Sequence, residues 1–169
     1  MTDKQSFTSE EWAALREAPA MIALAVTIAG SSGLFGTIAE TFGATSAMVE
    51  GMKSDSALVR AICTREELLA AQEAMKAKLQ DVKAGDLATA QNRIRMAALG
   101  SLHRALDILA ARAMPDDVAA YRALIHDIGQ KVAHAAKEGG FLGFGGERVS
   151  EGELTMLAAI RNALEADRA

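Results

Sequence analysis

Cysteine occurs once, proline twice, and aromatic residues make up only 4% of the chain. One cysteine excludes an intramolecular disulfide framework and fits a reducing compartment. So few prolines and aromatics argue against a many-stranded sandwich or barrel, whose turns and pleated faces draw on both. An excess of one charge is missing as well. With 18 Lys and Arg against 22 Asp and Glu, the formal net charge is −4, which leaves no electrostatic footprint for nucleic acid or an anionic membrane surface. Long apolar runs are also lacking. The longest, residues 20–30, has 11 residues and follows Pro19. A bilayer span needs about 20, so this run reads as a core helix rather than a membrane span. It also sits behind Glu10, Glu11 and Glu17, no small-residue cleavage site follows it, and the start of the chain is polar, so it does not read as a secretion signal. The expected location is cytoplasmic.

What the chain does have is apolar content and helix punctuation. Half of its 169 residues are apolar, too many for a disordered chain and enough for the core of one domain spanning 1–169. Three places share one grammar: an apolar residue, Thr or Ser, two residues, Glu, and another large apolar residue. They are Phe7-Thr8-Ser9-Glu10-Glu11-Trp12, Cys63-Thr64-Arg65-Glu66-Glu67-Leu68 and Val149-Ser150-Glu151-Gly152-Glu153-Leu154. Each reads as a capping box inside a hydrophobic staple, and so as a helix start.

Other signals fill in the rest. Pro19 suits the first position of a second helix, ending the short one from Thr8. Helical spacing continues over 34–53, and Ser54 or Asp55 is placed to cap a short turn holding Leu58, Val59 and Ile62. From Thr64, Leu68, Met75, Leu79 and Val82 form one stripe. The longest helix covers 86–113, with Ile94, Ala98, Leu102, Leu106 and Leu109 inward. Pro115 breaks it, Asp116 and Asp117 suit the positive end of the next helix, and Val118, Tyr121, Ile125, Ile128 and Val132 point inward there. The helix from Ser150 is expected to bury Leu154, Leu157, Ile160 and Leu164. No useful length alternates with period two. The fold class is therefore all-α: a single-domain bundle of six to eight helices with a long helical hairpin pivoting at Pro115.

Candidate chemistry is sparse. A bundle di-iron site needs Glu-x-x-His on two helices, but Gly100, Ala123 and Lys131 stand three residues before His103, His126 and His134. His103 and His126 fall at similar distances from Pro115. Each nonetheless sits roughly 110° from the centre of its apolar stripe, a boundary position. With Asp107 they are the weak metal candidates, and no metal or cofactor is expected. Cys63, beside a helix start, is the possible reactive thiol, set against a structural role in its staple. Glu40 and Glu50 read as carboxylates on a partly covered helix. Arg93, Arg95, Arg104 and Arg112 read as a solvated face.

The most unusual stretch is Gly139-Gly140-Phe141-Leu142-Gly143-Phe144-Gly145-Gly146. Phosphate-cradling glycines follow a strand and precede Lys-Ser or Lys-Thr, and neither is present. The glycines suit a helix C-cap followed by a tight turn. Phe141, Leu142 and Phe144 would then either plug the bundle end or form a partner- or ligand-facing loop. Gly33-Leu34-Phe35-Gly36 echoes it. The stretch from Lys137 through Gly146, with Val149, Ser150 and Glu153 after it, resembles the tail of small uncharacterised bacterial all-α proteins over the last fifth of the chain; the resemblance implies no function. The preferred expectation is a non-enzymatic helical module acting by protein–protein contact, with a protein partner or with itself. The alternative is a small-molecule or cofactor binder using the 8 methionines as a pocket wall.

Overall fold

In the computed structural model, residues 2–30, 46–80, 87–138 and 150–166 are described. Among them run seven α-helices and no strand: α1 (Ser9–Gly30), α2 (Ser46–Gly51), α3 (Ala57–Ile62), α4 (Arg65–Gln80), α5 (Leu87–Arg112), α6 (Pro115–Glu138) and α7 (Glu151–Ala166), preceded by a 3-10 turn over Lys4–Ser6. The architecture is an all-α bundle. Its centre is α1, on which α4, α5, α6 and α7 all pack. Every residue from 18 to 26 is buried, so this stretch has no solvent face at all. By length and composition α1 could cross a membrane, with a mean hydropathy of 1.4 over its most apolar window; 61% of that window lies buried inside the fold.

The helix start at Thr8 is a complete capping box. The Glu11 amide donates to Thr8 Oγ1 at 3.2 Å, and the Thr8 amide donates back to Glu11 Oε2 at 2.8 Å. Its staple closes too, Phe7 and Trp12 meeting at 5.9 Å between ring centroids. Ser150 and Glu153 repeat the reciprocal pair at 3.2 and 2.7 Å. At Thr64 only half the box forms, the Glu67 amide reaching Thr64 Oγ1 at 3.4 Å. The Glu67 carboxylate is engaged elsewhere: Lys4 Nζ stands 2.5 Å from one oxygen and Arg16 3.2 Å from the other. Burial works against that charge. Hydrogen bonding from Lys4 and Arg16 outweighs it and holds the carboxyl below its ordinary value.

Three expectations are corrected. Pro19 does not end a helix; α1 runs through it. A proline at that position cannot donate to the carbonyl four residues back, which belongs to Leu15. The Tyr121 hydroxyl supplies the missing donor, 2.8 Å from that carbonyl in the buried core. The cap of α3 is Ser56, whose Oγ accepts from the Val59 amide, while Ser54 Oγ accepts from the Ser56 amide one step earlier. And Leu154 is 55% exposed, whereas Ile160 and Leu164 are buried as expected. Glu153 is turned inward in its place, because its carboxylate folds back to cap Ser150.

That inward Glu153 sits where α7 starts against the end of α1. A Cβ on Gly30 would stand 2.5 Å from Glu153 Oε1, and one on Gly152 would run into the carbonyl oxygen of Ala29. The two glycines let the positive end of one helix approach the negative end of the other. The pivot lies at Pro115, between α5 ending at Arg112 and α6. Its two arms touch each other little and both lean on α1.

Candidate interaction cleft

Leu34, Phe35, Phe141, Leu142 and Phe144 lie outside the described residues. Cys63 is fully buried, and a Cβ on Gly51 would collide with its sulfur. Desolvation pushes its thiol up to about 12, the opposite direction to the one a reactive helix-start thiolate needs. His103, His126 and Asp107 are exposed, and no group of three or more His, Cys, Asp or Glu among the described residues could hold a metal ion. The methionines are scattered. Met21, Met48, Met75 and Met156 are buried, and Met52, Met96 and Met114 are exposed on separate elements, so the described ones do not form one pocket wall.

What the fold does assemble is an acidic cleft of about 710 Å³ between α2, α3 and α6. One wall is a single face of α6: Asp116, Ala120, Ala123 and Asp127 follow at i, i+4, i+7 and i+11. The rise of an α-helix separates the two aspartates by about 16 Å along the axis. Glu50 and Asp55 stand on the facing elements, and Ala47, Val59 and Leu124 give the floor apolar character. Met114 is exposed at one end. No Lys, Arg or His is among the described residues that line the cleft. At its rim Lys131 pairs with Glu50, and the Arg60 guanidinium holds the connecting turn by donating to the carbonyls of Ser54 at 2.5 Å and Asp55 at 2.9 Å.

Asp117, two residues past the helix start, ties the cleft to its surroundings. Ser56 donates to one of its oxygens at 2.7 Å and the Thr2 amide to the other at 2.9 Å. Thr2 Oγ1 in turn accepts from the Met114 amide at 3.0 Å. The carboxyl is buried, which by itself raises its pKa, yet the hydrogen bonds from Ser56 and Thr2 prevail and hold it below its ordinary value. Asp117 is thus a structural clamp and Glu50 is held by Lys131, which leaves Asp116, Asp127 and Asp55 as the carboxylates for an incoming group.

The sequence reading placed Asp116 and Asp117 at a helix start and did not bring Asp127, Asp55 or Glu50 to them. The spacing of Asp116 and Asp127 around two alanines was a signal present in the chain. That α2 and α3 fold opposite that face was not. In comparisons with protein-family models, curated proteins and solved structures, nothing matches this chain.

Proposed function

We propose that the protein is a non-enzymatic helical module that works by protein–protein contact, and that the acidic cleft receives a cationic helical segment of its partner. One observation carries the reading: two aspartates about 16 Å apart frame a floor of small and apolar side chains. A single metal ion cannot bridge that distance. A helical segment with basic groups three turns apart can, and Ala120 and Ala123 leave room for its backbone. Such a surface sets on-rate and specificity through complementary charge, while the floor and Met114 supply apolar contact.

A fluorescein-labelled amphipathic peptide of Leu and Lys, roughly 16 residues long, serves as the probe in an anisotropy titration. Asp116→Asn with Asp127→Asn is expected to weaken it by about tenfold. Glu66→Gln with Glu73→Gln, which changes net charge equally at exposed sites away from the cleft, is expected to leave it unchanged. Equal effects of the two pairs, or no binding to wild type at a dilution where it is monomeric, would remove the cleft as the docking site.

A further inference from the structure

The spacing on α6 recurs on α5 with the charge inverted. Arg93, Ala97, Gly100 and Arg104 stand at i, i+4, i+7 and i+11, as Asp116, Ala120, Ala123 and Asp127 do. All four α5 residues are exposed, and nothing lies within 4 Å of where a Cβ on Gly100 would be. The side chains of Arg93, Arg104 and Asp116 make no ion pair or hydrogen bond with any described residue, and that of Asp127 meets only the neighbouring His126, at 3.4 Å. One exposed face is therefore basic–small–small–basic and the other acidic–small–small–acidic, in the same register.

Resting on the reading above, we infer that the segment received by the cleft is α5 of a second copy of this chain. Both faces carry their charges about 16 Å apart, so parallel or antiparallel seating matches both arginines to both aspartates. The small residues between them allow the axes to approach to the near end of the usual 8–10 Å range. Ion pairs at an exposed contact contribute little alone, but exposed Met96 on α5 and exposed Met114 and Met52 beside the cleft add apolar area. Each copy owns both faces, so a two-fold arrangement makes the contact twice and closes as a dimer. Glu10 and Glu17 line the same groove as Ala97, Gly100 and Arg104, with Glu17 paired to Lys78 at 2.6 Å, and Asp107 follows one turn on, so Glu10 and Asp107 are the unpaired acidic side chains beside the basic face among the described residues.

Sedimentation velocity of the full chain tests this by charge exchange. Wild type is expected to associate, less so as salt rises. The variant Arg93→Glu/Arg104→Glu and the variant Asp116→Lys/Asp127→Lys are each expected to be monomeric, since each presents like charges to itself. Mixed together they are complementary at both contacts and are expected to form a one-to-one dimer. Circular dichroism checks that each variant keeps its helices. A monomeric wild type that still binds the Leu/Lys probe overturns the second-copy inference and leaves the cleft reading standing; a monomer that ignores the probe overturns both. Association surviving in either variant alone, or failing to return on mixing, places the contact elsewhere and overturns the inference.

Discussion

Tyr121 donates its hydroxyl to the carbonyl of Leu15, 2.8 Å away, and that carbonyl is the one Pro19 leaves without a helical donor. A tyrosine on α6 thus completes the backbone of α1, and its ring lies in the centre of the core. Tyr121→Phe leaves a buried carbonyl unsatisfied and should cost about 1–3 kcal/mol in urea denaturation. In a Pro19→Ala background the amide of residue 19 can donate to Leu15, and the cost of Tyr121→Phe should shrink by about 1 kcal/mol. Equal costs in the two backgrounds would break the link between proline and tyrosine.

Acid should loosen the fold through two carboxylates. Glu67 and Asp117 titrate below their ordinary values of 4.5 and 3.8, so the folded chain favours their charged forms more than the unfolded chain does. Their contribution is complete above those values and drains away as pH falls through them toward the lower folded-state values. The urea midpoint should drop as the solution is acidified below pH 4.5. Glu67→Gln and Asp117→Asn should be less stable at neutral pH and show a flatter acid limb. The sole tryptophan reports on the same event: Trp12 lies under Lys4, which stands 5.5 Å from the ring centroid. Quenching of its fluorescence by acrylamide should rise as Lys4 is released.

Two glycines should respond to alanine with opposite signs. At Gly152 the new methyl meets the backbone oxygen of Ala29, which cannot turn aside, and a loss of about 1–3 kcal/mol is expected. At Gly100 the methyl enters open space on a helix, and a gain approaching about 1 kcal/mol is expected. Thermal melts of the two variants at equal concentration decide it.

The Cys63 thiol should be silent in the native protein. Buried and shifted to about 12, it offers almost no thiolate at neutral pH. Labelling by a chromogenic disulfide should follow the unfolding transition across a urea series. Fast labelling without urea would contradict the burial.

The helix starts at Thr8 and Ser150 were legible in the sequence because a capping box is local: every partner lies within three residues. The continuation of α1 through Pro19 was not, since the group that rescues the Leu15 carbonyl is 106 residues away. At the third box Glu67 was drawn off by Lys4, 63 residues distant, for the same reason. Periodicity alone points Leu154 inward, whereas the capping contact that folds Glu153 back onto Ser150 turns Leu154 to solvent. Of the cleft, one wall could be read from α6, and the matching arginines of α5 were visible but looked like ordinary solvated charge. A helical face becomes a site only when something stands opposite it, and α2 and α3 stand opposite α6 by tertiary folding.

The burial of residues 18–26 of α1 on every side has a consequence for synthesis. Its most apolar stretch leaves the ribosome ahead of everything that will cover it: α4, α5, α6 and α7 all come later in the chain. Until α5 and α6 follow, the nascent chain presents a greasy helix to the cell with only α4 to pack on it among the helices that cover it. Slowing translation through residues 87–138 should therefore raise the share of newly made chain that aggregates, even with the final bundle unchanged.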